Sequence, residues 1–164
     1  MKSVVIYYSY SGNTQKVADT LTEYLKLQGE VESIELKGLD ESDKFLVQAA
    51  RAFRHKRSVI QLVNLDLSRY DLICLGTPVW TFGPAPAINT YLDKCFGVEG
   101  KAVILFSTYG SGTGNKRCLD YMQDMLVKKG AKEFNRFSIQ QLKVNDKEFV
   151  LSKIKEIARL WPNG

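Results

Sequence analysis

A loop near the start of the chain carries the groups needed to bind a phosphate without a cationic side chain. It follows an apolar run at residues 4–8 and consists of Ser9, Tyr10, Ser11, Gly12, Asn13 and Thr14. Its hydroxyls and its backbone amides can donate to a phosphate at the start of a helix. Neither GxGxxG nor GxxxxGK[ST] occurs here, which argues against a dinucleotide fingerprint or a Walker loop. A capped strand-to-helix turn without a ligand is the alternative.

Two later loops combine aromatic side chains with glycines. The first consists of Thr77, Pro78, Val79, Trp80, Thr81, Phe82 and Gly83, and the second begins with Thr108, Tyr109, Gly110, Ser111 and Gly112. Because prolines bracket the first loop, it cannot be regular structure, and we expect Trp80 and Phe82 to meet solvent there. Stacking of the indole on a planar ligand would contribute on the order of 1 kcal/mol beyond area burial. A loop that folds its aromatic side chains back onto the sheet is the alternative.

Apolar runs alternate with amphipathic segments along the chain, which predicts an α/β fold. The runs at 4–8, 71–76 and 102–107 are apolar throughout and predict central strands, whereas 31–36 alternates and predicts an edge strand. With a fifth strand at 134–139, these patterns predict a three-layer sandwich. Its parallel sheet has the strand order 2-1-3-4-5, with helices on both faces, in one domain spanning 1–164. The three loops then meet at the carboxyl ends of the strands, at the switch point between strands one and three.

Capping residues and glycines mark the expected helices. Thr14 is expected to cap the first helix, which ends near Gly29. Asp146 is expected to cap the last one, which contains Trp161. A second helix is predicted within 40–57, and others over 85–96 and 116–129.

The loop motifs resemble those of the flavodoxin-like FMN-binding proteins. Residues 7–18, YYSYSGNTQKVA, are similar to the signature of that family, and GTPVW at 76–80 with PAP at 84–86 resembles its isoalloxazine-contacting loop. The resemblance covers essentially the whole chain. It implies FMN as the cofactor, bound by the residues of the three loops, from Ser9 to Thr14, Thr77 to Gly83 and Thr108 to Gly112. It implies neither a catalytic side chain nor a metal.

The net charge of the chain differs from that of typical flavodoxins. Flavodoxins that serve as mobile electron carriers are typically acidic, whereas this chain has 23 Lys and Arg against 18 Asp and Glu, a formal net charge of +5. The loops at 77–83 and 108–114 contain no Asp or Glu, and the stretch 40–69 is longer than a minimal crossover needs. The resemblance is therefore to the fold and the cofactor more than to the carrier role.

The expected function is electron transfer by an FMN-binding cytoplasmic protein to or from a redox partner protein or a small acceptor. An NAD(P)H-dependent FMN or quinone reductase on the same fold and a cofactor-free binding module are the alternatives. The sequence contains no recognisable Ser-His-Asp or Cys-His catalytic motif, and the three cysteines lack metal-ligand spacing. The chemistry would then belong to the flavin. No run reaches membrane-spanning length, and nucleic-acid binding is not expected because basic residues and stacking aromatics do not combine on one helix.

A basic segment at 51–57 contains Arg51, Arg54, His55, Lys56 and Arg57. It is either a solvated helix end, where cations complement the dipole, or a patch that meets an acidic partner or a nucleotide phosphate. We expect an acidic partner if this segment lies beside the opening of the cofactor crevice.

Overall fold

The protein is described by a computed structural model that covers residues 1–39, 58–110 and 112–159. Five parallel strands form its sheet: β1 (Lys2–Tyr7), β2 (Glu30–Glu35), β3 (Leu72–Pro78), β4 (Ala102–Tyr109) and β5 (Glu133–Gln140). They are ordered β2-β1-β3-β4-β5, and all four pairings are parallel. The predicted strand order is therefore confirmed.

Helices cover both faces of this sheet. The four α-helices of the described residues are α1 (Asn13–Lys26), α2 (Pro86–Lys94), α3 (Asn115–Val127) and α4 (Lys147–Ala158). A short 3-10 helix, Gln141–Lys143, follows β5. None of the helices in these ranges combines the length and the apolar character needed to cross a bilayer.

Alternate residues of the central strands supply two separate hydrophobic cores. Val4 and Ile6 of β1 pack with α2 and α3, whereas Val5 and Tyr7 pack with α1 and α4. The inner strands β1, β3 and β4 are buried almost throughout, and β2 is half-buried or exposed along its length. The apolar run and the alternating run therefore predicted the central and edge positions correctly, because only a central strand is covered on both faces.

A close contact between two central strands restricts one residue of β3 to glycine. Gly76 lies opposite Phe106 of β4, and a Cβ atom at Gly76 would overlap the ring of Phe106. That ring is fully buried and stacks on Phe137 at a centroid distance of 5.7 Å. The absence of a side chain at residue 76 thus makes room for the ring of Phe106 on the neighbouring strand.

The helix starts confirm one predicted cap and correct another. The Asp146 side chain accepts a hydrogen bond from the Phe149 amide at 3.0 Å, as expected for the last helix. Thr14 does not cap α1: the cap residue is Gly12, and Thr14 lies within the first turn. The predicted second helix, the basic segment 51–57 and Trp161 lie outside the described residues.

Candidate functional site

The three predicted loops meet at the carboxyl edge of the sheet, between β1, β3 and β4. Two of them begin later than predicted, because residues 77–78 still belong to β3 and residues 108–109 to β4, where the parallel pairing of these strands continues. The hydroxyls of Thr14 and Thr108 are hydrogen-bonded at 2.8 Å, which fastens the first loop to the third. The Val79 amide donates to the Thr108 carbonyl at 2.8 Å, which fastens the second loop to the third. Segments that are 94 residues apart in the chain are therefore held at hydrogen-bonding distance.

These loops enclose a crevice of about 670 Å³, a size typical of sites for small-molecule cofactors. Its walls combine hydroxyl and amide groups with aromatic and aliphatic groups. They consist of Tyr10, Ser11, Asn13, Pro78, Val79, Trp80, Thr108, Tyr109, Gly110 and Gln141. Nine of these ten residues are among those predicted from the sequence.

Unused backbone donors lie at the start of α1. Gly12 has a φ of 80°, and no atom of the described residues lies within 4 Å of the position a Cβ would take there. The cap residue Gly12 provides no side-chain hydrogen bond to the helix, and the first turn contains no acidic residue. The amides of Ser11, Gly12, Asn13 and Thr14 have no acceptor within the described part of the chain. Four donors at a positive helix end form a fitting cradle for a phosphate.

The hydroxyls predicted to bind the phosphate have different roles. Ser9 accepts a hydrogen bond from the Gln15 amide at 3.2 Å, which is the capping role predicted for Thr14. Thr14 lies in the first turn of α1 and is nearly fully buried, and its hydroxyl is hydrogen-bonded to that of Thr108 in β4. Thr77 is buried too, and it accepts from the Ala85 amide at 3.0 Å. Ser11 is the exposed hydroxyl of the first loop that also lines the crevice.

The aromatic wall of the crevice is organised around Trp80. This residue was expected to meet solvent, but only 6% of its surface is exposed. Its indole packs edge-on between Tyr8 and Tyr10, with both centroid distances at 5.6 Å. The loop turns back on itself and presses the indole against the end of β1. Tyr10, in contrast, is 42% exposed, and Tyr109 is half-buried.

A strained turn ends the second loop. Trp80 and Gly83 exchange two backbone hydrogen bonds, of 2.9 and 3.0 Å, across the pair Thr81–Phe82. Both residues of this pair have positive φ, 48° for Thr81 and 67° for Phe82. Such turns normally carry Asn and Gly, so a β-branched residue and an aromatic one are costly here. Backbone strain of this kind is concentrated at functional sites.

Thr81 and Phe82 line a second, smaller cavity beside the crevice. It measures about 120 Å³ and is walled by Val79, Thr81, Phe82, Tyr109, Gly110 and Thr113. Val79, Tyr109 and Gly110 belong to both cavities. Phe82 is 44% exposed, as the sequence predicted, but it lines this second cavity instead of the crevice. Among the other predicted residues, Gly112 is exposed with a φ of 76°, Gly83 is buried, and Ser111 lies outside the described residues.

Gln141 is the one crevice residue that sequence reasoning missed. It belongs to the 3-10 helix after β5, and its side chain lies so close to Gly110 that a Cβ there would be 3.2 Å from Nε2. The preceding residue, Gln140, donates from Nε2 to the Gly110 carbonyl at 3.2 Å. The signal was present, because the segment after β5 leaves the same sheet edge as the three loops.

The phenol of Tyr7 and the three cysteine thiols are held in their neutral forms. Burial, followed by the nearby carboxylates of Glu35 and Asp19, raises the pKa of Tyr7 to about 12. Burial raises the pKa of Cys95 to about 11, and it also raises the pKa values of Cys74 and Cys118. All three cysteines are free and buried. They are therefore protonated and poorly nucleophilic at neutral pH.

The described residues contain no cluster of side chains suited to a metal ion. The site thus offers a phosphate cradle, an aromatic and aliphatic wall and a polar edge at Gln141. The described residues that line it include no thiol and no acid–base pair. This combination suits a planar aromatic cofactor with a terminal phosphate, and chemistry performed by that cofactor.

The comparisons with known proteins agree with this geometry. The family model described as Flavodoxin matches residues 2–144. No curated protein matches the chain significantly. Among solved structures, a flavoprotein from Lactobacillus acidophilus NCFM in complex with FMN is 27% identical. It has a TM-score of 0.67 and covers 90% of this chain and 98% of its own.

Two further structures share the fold. Oxidised Flavodoxin 1 from Bacillus cereus is 22% identical, with a TM-score of 0.66 and coverage of 99% of this chain and 100% of its own. An NADH:FMN oxidoreductase (EMOB), in its apo form, is 16% identical, with a TM-score of 0.66 and coverage of 100% and 92%. The family match extends from β1 to the residues just after β5 and so includes all four segments that line the crevice. By its sequence match and its fold, the chain belongs to the flavodoxin family.

Proposed function

We propose that this protein binds FMN in the crevice and transfers electrons between the flavin and a protein partner or a small acceptor. The single observation that carries this proposal is the set of four amides at the start of α1 that have no acceptor among the described residues, with open space at Gly12. Family membership and the FMN complex of the Lactobacillus flavoprotein support the same cofactor.

The residues present fit FMN in two respects. Ser11 and the amides around Gly12 would hold the phosphate, with the field of the helix end in place of a cation. Trp80, Tyr10 and Tyr109 would provide the aromatic contacts of the ring, since all three line the crevice. When bound, FMN supplies reversible electron transfer, and the protein's part is to hold and shield it. The polar atoms of Gln141 and Gly110 would face its edge.

A fluorescence titration tests the FMN site through Trp80. The chain has two tryptophans, Trp80 and Trp161, so Trp161→Phe leaves Trp80 as the sole emitter. We expect FMN to quench this emission strongly and with saturation, because the indole lines the crevice. The matched variant Trp80→Phe should show much shallower quenching of Trp161. Equal quenching of the two variants, or no saturation by FMN, would contradict the proposal and favour a cofactor-free binding module.

The second cavity favours a reductase as the second candidate function. It shares Val79, Tyr109 and Gly110 with the crevice, so a small substrate there would lie next to the bound ring. For this candidate we expect steady-state oxidation of NADH or NADPH with a quinone, and a KM for the quinone that rises at least about tenfold in Thr113→Trp, which fills the cavity. If the protein oxidises neither NADH nor NADPH, the reductase candidate is wrong and electron transfer with a protein partner stays as the proposed function.

A further inference from the structure

Two cations at the start of α3 lie where helix electrostatics disfavour them. Lys116 and Arg117 are exposed and belong to the first turn of α3, which contains no acidic residue. The positive end of the helix dipole repels cations at this position. No carboxylate of the described residues pairs with either side chain, although six other ion pairs occur there. Their placement therefore opposes stability, which is typical of residues retained for binding.

The start of α3 is packed directly against the exposed aromatic residue of the strained turn. A Cβ at Gly114, the cap residue of α3, would lie 2.6 Å from Cδ1 of Phe82 and 3.2 Å from its Cα. Phe82 thus lies over the backbone two residues before Lys116. The strained backbone at Thr81 and Phe82 thus holds a 44% exposed ring against the start of the helix whose first turn carries the two cations.

This surface, composed of Phe82, Lys116 and Arg117 and hereafter called the α3 patch, borders the proposed cofactor site. Phe82 lines the second cavity, which shares Val79 and Tyr109 with the crevice. A partner docked on the α3 patch would lie beside the cavity that adjoins the crevice, and so close to a ring bound there.

We propose that the α3 patch is the docking site for an acidic electron-carrier protein. The inference rests on the proposed FMN function and adds the chemical class of the partner. The charge argument is that unpaired cations around an apolar anchor complement an apolar contact rimmed by carboxylates. Asp19 and Glu35 act on Tyr7 of β1, which pairs with the edge strand β2 on the far side of the sheet from β5. Lys116 and Arg117 give the start of α3 a positive charge.

The test measures electron transfer from the FMN-loaded, reduced protein to an oxidised acidic [2Fe–2S] ferredoxin as the probe, by stopped flow at low and high salt. In each encounter one electron passes from the reduced flavin to the oxidised [2Fe–2S] cluster, so the cluster is reduced and the flavin is oxidised by one electron. In K116E/R117E we expect the bimolecular rate at low salt to fall at least about tenfold, and the difference to vanish at high salt. With basic cytochrome c as the acceptor, the same variant should react faster than the unsubstituted protein.

A matched control separates the α3 patch from net charge. The variant K26E/K128E changes the net charge by the same amount, but at exposed lysines located at the carboxyl-terminal ends of α1 and α3. It should retain most of the rate of electron transfer to the ferredoxin. Because Glu suits the start of a helix, K116E/R117E should unfold at the same or a higher urea concentration and bind FMN unchanged. A merely structural role for the two cations predicts the reverse.

The outcomes distinguish this inference from the proposed function. If the protein fails to bind FMN, the proposed function fails. If FMN binds and reacts but both variants slow the ferredoxin reaction equally, or neither does, the α3 patch is not the docking site. If K116E/R117E leaves the ferredoxin rate unchanged and instead raises the KM for NADPH, the cations bind a nucleotide phosphate, which also overturns the proposal.

Discussion

Ser11→Asp is expected to lower the affinity for FMN by at least about 100-fold, which corresponds to about 2.7 kcal/mol. The new carboxylate would share the start of α1 with the phosphate, in a loop without a compensating cation. Two unit charges about 4 Å apart repel by about 4 kcal/mol at an effective dielectric constant of 20. This repulsion is larger than the expected loss of binding free energy and can therefore account for it. Isothermal titration of the apo-protein with FMN measures it.

Two comparisons make this loss specific for the phosphate. Ser11→Asn has the same shape as the aspartate variant without its charge, and it should lose only about 1 kcal/mol, or roughly fivefold, with the hydroxyl. Riboflavin lacks the phosphate and should bind all three proteins alike. Because an acidic group favours a helix start by about 0.3–1 kcal/mol, the aspartate variant should unfold no earlier than the parent. A riboflavin affinity that falls in parallel would place the phosphate elsewhere.

Gly76→Ala is expected to destabilise the apo-protein by about 3 kcal/mol, at the upper end of the usual cost of overpacking. The added methyl would overlap the ring of Phe106, which cannot move aside because it is fully buried and stacked on Phe137. For a chain of this length, each kcal/mol lowers Tm by about 2–4 °C. Urea unfolding without FMN measures the change, because bound ligand would add its own stabilisation.

A double-mutant cycle assigns this cost to the contact. Leu is shorter than Phe at the ring tip, so in the Phe106→Leu background the alanine at residue 76 should cost well under half as much. Equal costs in the two backgrounds would mean that the loss comes from the backbone of β3 instead. The contact matters for the site because Gly76 directly precedes the loop that carries Trp80.

The architecture could be predicted from the sequence because it depends on short-range patterns. The apolar run of β3 and the alternation in β2 follow from how many faces of each strand are covered, and this pattern fixes which strands are central. With parallel strands, the loops after β1, β3 and β4 must leave from one edge. The position of the crevice and nine of its ten lining residues follow from that rule.

Which group each side chain contacts was decided only by the tertiary structure. The sequence predicts that Thr14 caps a helix, yet its hydroxyl is hydrogen-bonded to that of Thr108, 94 residues away. Trp80 reads as an exposed stacking residue, yet Tyr8 and Tyr10 enclose it. Local propensity cannot rank such partners, because the competing contacts come from other strands.

The α3 patch likewise depends on features of the sequence and on contacts that only the tertiary structure creates. The sequence alone determined that this chain is basic and that its flavin loops lack carboxylates. It drew attention to the basic segment at 51–57, whose cations are adjacent in the chain. Phe82 and Lys116 are remote in sequence, and only the packing of Phe82 on Gly114 brings them to one surface. A charge pattern that depends on distance in space, rather than along the chain, becomes visible only once the sheet has brought its loops together.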